Sequence, residues 1–139
     1  MKETHELTVL LVEDNSSDLL IIKSFLTDFG FRKIHDASDG SQAFFKLENM
    51  QFDLILTDWK MPNISGLSFL QKIKFDERYK DIPIIFLTGV SDKDEVVIAL
   101  KEGATDYLVK PIGKLALEAK IKKIFPGVAL NSERKVPKE

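Results

Sequence analysis

The sequence predicts an α/β fold, a doubly wound parallel sheet of five strands with five helices. Two observations support this prediction. Five short apolar runs alternate along the chain with segments whose apolar residues recur at helical spacing. Several of the runs are apolar without interruption, which is typical of strands that are buried on both faces of a parallel sheet. Strands and helices that alternate in this way place helices on both faces of the sheet.

The predicted strands are short segments that are mostly apolar, at residues 9–12, 33–37, 53–57, 82–87 and 106–109. The helices between and after them are predicted from apolar stripes, namely Leu19, Ile22, Leu26 and Phe29; Ala43, Leu47 and Met50; Leu67, Leu70 and Ile73; Val96, Ala99 and Leu100; and Leu117, Ile121 and Ile124. Ser16 or Ser17 is expected to cap the first helix, and Gly30 to end it. Ser91 or Asp92 is expected to cap the fourth helix.

The length of 139 residues fits one domain, which we place at residues 7–125. Residues 126–139 are mostly polar and are predicted to be a tail or linker. The net charge of −2 gives no indication of direct nucleic-acid binding. Because the chain has no cysteine, disulfides and thiolate metal sites are excluded. No apolar run is long enough for a signal peptide or a membrane span, so we expect no membrane contact and a cytoplasmic protein.

Polar residues with related chemistry follow four of the five predicted strands. Glu13 and Asp14 end the first strand, Asp58 the third, Thr88 the fourth and Lys110 the fifth. In an open α/β sheet, ligands bind beyond the carboxyl ends of the strands, so we expect these side chains to lie together. Taken alone, each of these residues is also explained by a cap, a turn or a solvated side chain. Their shared position at one sheet edge favours a common site.

The residue types in this group suit phosphoryl transfer. Carboxylates that converge on one point repel each other, and a hard divalent cation such as Mg²⁺ relieves that repulsion. A carboxylate is also a nucleophile that forms aspartyl phosphates. The transferred phosphoryl group needs cations and hydrogen-bond donors around its oxygens, which Lys110 and the Thr88 hydroxyl supply.

Four segments of the chain, which contain these residues, resemble the receiver domains of two-component response regulators, and the chemotaxis-regulator type in particular. The segments are VLLVED at 9–14, DLILTDWKMP at 53–62 with Gly66, IIFLTG at 84–89, and GATDYLVKP at 103–111. The resemblance spans roughly residues 7 to 125. It implies a flavodoxin-like receiver fold with strand order 2-1-3-4-5.

The resemblance implies a role for each matching residue. Asp58 is the phosphoacceptor, while Asp14 and Asp58 ligate Mg²⁺ directly and Glu13 acts through water. The backbone carbonyl of Lys60 completes the protein's metal ligands. Thr88 and Lys110 contact the phosphoryl group.

Further residues are implied to act in switching and tuning. Thr88 moves on activation, and the aromatic side chain of Tyr107 then turns inward. Lys60 and Val90, two residues after Asp58 and Thr88, tune the lifetime of the phosphoryl group. The peptide bond before Pro111 is expected to be cis, as is usual in the family.

The function implied is a signalling switch rather than an enzyme with a separate substrate. It takes a phosphoryl group from a histidine kinase or histidine phosphotransfer protein, and it controls an unknown output protein that binds at the face of the fourth helix, fifth strand and fifth helix.

Three alternatives remain at this point. A phosphatase of the haloacid dehalogenase type would carry an Asp where Lys60 stands. A nucleotide or flavin module would carry a glycine-rich or hydroxyl-rich loop where Glu13 and Asp14 stand. A pseudo-receiver would usually lack one of the acids, and none is lacking here.

Overall fold

A computed structural model describes residues 3–130 of the protein and shows a five-stranded parallel sheet in the order β2-β1-β3-β4-β5. The strands are β1 (Thr8–Val12), β2 (Lys33–Ala37), β3 (Leu54–Asp58), β4 (Ile84–Thr88) and β5 (Asp106–Val109). In register, Leu10 lies beside His35 on β2 and Ile55 on β3. The predicted fold class and strand order are therefore confirmed.

Five α-helices connect or follow the strands in the described part of the chain. They are α1 (Ser16–Phe29), α2 (Gly40–Asn49), α3 (Gly66–Phe75), α4 (Lys93–Lys101) and α5 (Lys114–Ile124). Short 3₁₀ turns precede β1, at Thr4–Glu6, and α4, at Val90–Asp92. None of the helices within residues 3–130 has both the length and the apolar character that crossing a bilayer demands.

The ends of α1 show one predicted cap to be wrong and one to be right. The cap at the start is Asn15, whose side chain accepts a hydrogen bond from the backbone N–H of Asp18 at 2.9 Å, rather than Ser16 or Ser17. At the other end Gly30 has φ 109°, the left-handed conformation that glycine adopts without a Cβ penalty, and it ends the helix as predicted.

The sheet divides the buried apolar residues into two clusters. Leu10, Ile55 and Phe86 belong to one cluster, which also contains buried residues of α2, α3 and α4. Leu11 and Leu56 belong to the other, which contains buried residues of α1 and α5. Successive residues of a strand point to opposite faces, so β1, β3 and β4 supply both clusters and are apolar at three or four successive positions.

Strands β3 and β4 begin later than the sequence predicts. Asp53 precedes β3, and its carboxylate accepts a hydrogen bond from the backbone N–H of Thr8 at 2.8 Å. Before β4, the N–H of Ile82 donates to the carbonyl of Tyr79, and Pro83 has no N–H to donate to the sheet. Both strands continue instead to the polar residues at their carboxyl ends, Asp58 and Thr88.

Packing continues past α5. Val128 contacts the cluster beneath α1 and α5, and Leu130 is only 2% exposed within it. The predicted domain boundary after residue 125 therefore precedes residues that pack against the domain. The rest of the predicted tail, residues 131–139, lies outside the described residues.

Candidate functional site

Three carboxylates meet at the carboxyl ends of β1 and β3. One carboxylate oxygen from each of Glu13, Asp14 and Asp58 lies within 4.8 Å of the others. Glu13 and Asp58 are buried, whereas Asp14 is exposed. The adjacent strands β1 and β3 bring Asp58 to Glu13 and Asp14, which are more than 40 positions away in sequence. The sequence predicts this proximity.

The ammonium group of Lys110 connects this cluster to the end of β5. Lys110 Nζ lies 2.9 Å from Glu13 Oε1, 3.2 Å from Asp58 Oδ2 and 3.2 Å from Asp18 Oδ2. Its side chain is 23% exposed, so these contacts are partly shielded from water. A lysine ammonium has three N–H donors, and three carboxylates are within reach of them.

The charges in this cluster shift two pKa values upwards. Burial raises the pKa of Glu13, and the neighbouring charge of Asp58 raises it further, while the hydrogen bond from Lys110 opposes both effects. Burial alone would lower the pKa of Lys110, but the hydrogen bond to Glu13 and the charges of Asp58 and Glu13 outweigh it and raise that pKa. Lys110 is therefore charged at neutral pH.

The start of α1 holds two of the three acids around Lys110. The backbone N–H of Asn15 donates to Glu13 Oε2 at 3.1 Å, and the Asn15 side chain caps the N–H of Asp18. Asp18 was not among the predicted site residues. Its position in the first helical turn after the acidic pair was the available signal, but an acid there is ordinarily explained by the helix dipole.

Thr88 and Lys110 are joined through their backbones. The N–H of Lys110 donates to the Thr88 carbonyl at 2.7 Å, which sets the ends of β4 and β5 side by side. The Thr88 hydroxyl donates to the carbonyl of Gly89 at 3.1 Å. The Lys110–Pro111 peptide bond is cis, as the resemblance implies. Tyr107 is partly buried and packs against the cluster of α2, α3 and α4.

The residues that follow Asp58 contact the beginning of α4. Trp59 is buried, its ring meets Phe86 edge-on with centroids 5.0 Å apart, and its Nε1–H donates to Glu95 Oε1 at 3.2 Å. Lys60 Nζ lies 3.4 Å from Asp92 Oδ1, so the Lys60 side chain also reaches the beginning of α4.

The side chains at the two positions predicted to tune the site differ in their contacts. Lys60 is tied at its tip to Asp92, although its side chain is largely exposed. Val90 is 74% exposed and stands in the short turn that follows β4.

The carboxylate group fits a hard divalent cation. Glu13, Asp14 and Asp58 offer oxygen ligands, which Mg²⁺ prefers. Burial raises the pKa of Glu13 and the charge of Asp58 raises it further, and a bound cation would offset both effects. The backbone carbonyl of Lys60 stays a predicted ligand.

Comparison with known proteins identifies a matching family and several proteins of similar sequence. Residues 9–122 match the family described as response regulator receiver domain. The chain is 38% identical over 120 residues to the chemotaxis protein CheY of Pseudomonas aeruginosa, a match that covers 86% of this chain and 97% of the relative. It is 35% identical over 117 residues to the chemotaxis protein CheY-3 of Vibrio cholerae, covering 84% of this chain and 90% of the relative.

Solved structures agree with this match. The chemotaxis response regulator CheY4 of Vibrio cholerae superposes with a TM-score of 0.77 at 30% identity, covering 85% of this chain and 98% of that one. A receiver domain of a sensor histidine kinase from Pseudomonas aeruginosa, solved with a magnesium ion coordinated in its active-site cleft, gives a TM-score of 0.75 at 32% identity, covering 84% of this chain and 95% of that one. With the family match over most of its length, its strand order and the acids at its sheet edge, the chain belongs to the response regulator receiver domain family.

Proposed function

We propose that this receiver domain accepts a phosphoryl group on Asp58 in a Mg²⁺-dependent reaction and thereby switches a signalling output. The observation that carries the proposal is the contact of Lys110 with both Glu13 and Asp58 beside a group of three carboxylates. Receiver domains are signalling domains, so the only reactions proposed are the domain's own phosphorylation and dephosphorylation.

The proposed donor is a phosphohistidine on a histidine kinase or phosphotransfer protein. A carboxylate oxygen of Asp58 attacks phosphorus and forms the new O–P bond. The P–N bond to the donor imidazole breaks, and the imidazole keeps the electron pair and takes up a proton. When bound at Glu13, Asp14, Asp58 and the Lys60 carbonyl, Mg²⁺ would neutralise charge on the carboxylates and on the phosphoryl oxygens.

Lys110 and Thr88 would stabilise the transferred group. Lys110 is charged, already lies 3.2 Å from Asp58 Oδ2, and can exchange a carboxylate contact for one to a phosphoryl oxygen. The Thr88 hydroxyl would leave the Gly89 carbonyl and donate to the phosphoryl group instead. Tyr107 packs against the cluster that contains Phe86 of β4. The ring of Tyr107 would turn inward when Thr88 moves.

The proposed output surface is the face formed by α4, β5 and α5. Trp59 and Lys60 directly follow Asp58 in sequence and contact Glu95 and Asp92 at the start of α4. Chemistry at Asp58 therefore has a short physical route to α4, which is one element of that face. The output protein would bind there when the position of α4 changes.

The decisive experiment is Mg²⁺-dependent labelling by a small phosphodonor, followed by intact-mass measurement. The wild type is expected to gain one phosphoryl group, and Asp58→Asn to gain none. Asp36→Asn is the matched control, because Asp36 lies on the edge strand β2, separated from β3 by β1, is partly exposed and pairs with Lys23. Labelling of Asp58→Asn at the wild-type level would refute Asp58 as the acceptor.

The metal ligands are tested without phosphorylation. Mg²⁺ is expected to raise the melting temperature of the wild type more than that of Asp14→Ala, because Asp14 is proposed as a direct ligand. Equal stabilisation of both proteins would contradict that role. It would leave labelling at Asp58 as a separate question.

The phosphoryl group on Asp58 is expected to be comparatively long-lived. Val90 offers no hydrogen bond to orient an attacking water, and the Lys60 ammonium, which contacts Asp92, has only donors and no acceptor for a proton of that water. In the double variant Lys60→Asn with Val90→Glu, loss of phosphate at fixed Mg²⁺ should be faster than in the wild type. If it is not, these two side chains do not control access of water.

A further inference from the structure

Asp18 stands apart from the other acids around Lys110. Glu13 and Asp58 belong to the group of three carboxylates whose oxygens lie within 4.8 Å of one another, and Asp18 does not. It nevertheless lies as close to Lys110 Nζ as Asp58 does, at 3.2 Å. Asp18 therefore touches the lysine of the site without belonging to the carboxylate group that fits a metal.

The position of Asp18 is fixed by the start of α1. Its backbone N–H is held by the Asn15 side chain at 2.9 Å, and the N–H of Asn15 in turn donates to Glu13 at 3.1 Å. One capping residue is thus hydrogen-bonded to both Asp18 and Glu13, and both of these acids contact Lys110. The Asp18 side chain is 38% exposed, so its carboxylate is partly shielded but remains free to leave the lysine.

A phosphoryl group on Asp58 would compete for the same ammonium. All three N–H groups of Lys110 are within reach of carboxylates, so a contact to a phosphoryl oxygen requires one of them to be given up or shared. Asp18 also adds a negative charge no more than about 6 Å from Asp58 Oδ2, because both oxygens lie 3.2 Å from Lys110 Nζ.

We infer that Asp18 is a positioning residue that holds Lys110 in the unphosphorylated site and limits how tightly that site binds a phosphoryl group. The inference rests on the proposed function, which it extends to the strength with which the phosphorylated state is held. Glu13 and Asp58 anchor the ammonium near the reacting oxygen, whereas Asp18 competes with the incoming anion for it.

This role predicts opposite changes for two ligands of one site. Asp18→Asn keeps the size of the side chain and removes its charge. Lys110 is then freer to bind an anion, so the site should bind an anionic phosphoryl analogue about three- to tenfold more tightly. The same loss of negative charge should weaken Mg²⁺ binding by about two- to fivefold. A defect in folding or in local order would weaken both ligands together.

The test uses beryllofluoride, an anion that takes the place of a phosphoryl group on a carboxylate. Fluorine NMR measures the bound anion at saturating Mg²⁺, and calorimetric titration measures Mg²⁺ alone. Asp28→Asn is the matched control, because Asp28 is also on α1, makes the same kind of contact to a lysine, at 2.8 Å to Lys114, and lies nearly three helical turns further along α1 than Asp18. Asp18→Glu, which restores the charge, should bind both ligands more nearly as the wild type does.

Each outcome has a distinct meaning. Tighter beryllofluoride with weaker Mg²⁺ in Asp18→Asn, and neither change in Asp28→Asn, supports the inference. If the wild type binds beryllofluoride but Asp18→Asn behaves as Asp28→Asn does, the inference is overturned while the proposed function stands. If the wild type binds no beryllofluoride even with Mg²⁺, the proposed function fails, and the inference fails with it.

Discussion

Replacing Lys110 by methionine should destabilise the protein strongly when no metal is present. The change removes the positive partner of Glu13, whose side chain is fully buried, and it leaves Asp58, 12% exposed, beside that uncompensated charge. Removal of one partner of a buried ion pair costs about 3 to 5 kcal/mol. Because Glu13 can take up a proton and water reaches Asp58, we expect about 2 to 4 kcal/mol at pH 7. That corresponds to a fall in melting temperature of about 6 to 15 °C.

The dependence on pH follows from the pKa of Glu13, which burial already raises and which the hydrogen bond from Lys110 lowers. In Lys110→Met that pKa should rise further above its unfolded value. An acid that binds its proton more tightly in the folded state costs stability above its folded pKa, and this cost disappears as the pH falls towards the unfolded pKa. The stability deficit of the variant should therefore shrink on acidification. Mg²⁺ should shrink it as well, because it would replace the lost positive charge.

The assay is chemical or thermal unfolding of both proteins from pH 7 to pH 5, with and without Mg²⁺. Lys114→Met is the control, since it breaks an exposed pair with Asp28 and should cost less than about 1 kcal/mol. Equal deficits in the two variants would show that burial of the Lys110 contacts contributes nothing. A deficit that does not change with pH or Mg²⁺ would show that lost packing, and not unpaired charge, is its cause.

Two further predictions concern packing. A Cβ at Gly66 would collide with the Trp59 ring, whereas a Cβ at Gly113 would stay 4.0 Å from its nearest neighbour. Gly66→Ala should therefore lower the free energy of unfolding by about 1 to 3 kcal/mol, and Gly113→Ala by less than about 1 kcal/mol. Equal denaturant midpoints would contradict the close approach of Gly66 to the ring. Leu130→Ala should cost about 2 to 3 kcal/mol because Leu130 is buried, while Leu115→Ala, at an exposed position of α5, should cost little. If both leave the melting temperature unchanged, Leu130 does not contribute to the core.

The fold class was predictable because the sheet is buried on both faces. Central strands such as β3 must be apolar at successive positions, and that pattern is visible in the sequence without knowledge of partners. Strand ends were less predictable, because they depend on contacts that are remote in sequence. Asp53 caps the backbone at Thr8, 45 residues away, and so stays outside β3.

The reach of the core was also harder to predict than its centre. The sequence analysis ended the domain at residue 125, where the helical pattern stops, yet Leu130 is buried. Conversely, several large apolar side chains within residues 3–130 are largely exposed, among them Phe45 on α2 and Phe75 at the end of α3. Helical spacing identifies the buried stripe, but it cannot identify the exposed residue beside that stripe.

The site was predictable to the extent that strand ends define it. Glu13, Asp14, Asp58, Thr88 and Lys110 were expected at one sheet edge, and the carboxylates and lysine among them are in contact or close to it. Their roles in phosphoryl transfer stay predictions. Asp18 was missed because its contact with Lys110 joins residues 92 positions apart, through a helix start and a strand end that no local pattern links. The contact between Lys60 and Asp92 was not predicted for the same reason, since it joins residues that are remote in sequence.

The division of the interior by the sheet has a consequence for how the sequence tolerates change. Leu10 and Leu11 are neighbours on β1, yet they pack in separate clusters on opposite faces. Substitutions on different faces share few contacts, so their effects on stability should add, whereas those within one cluster should couple. We therefore expect that the side chains of one cluster can be replaced by those of a related chain while the other cluster is kept. The side of the sheet under α1 and α5 could be repacked while the side under α2, α3 and α4, which carries Trp59 and Tyr107, is left as it stands.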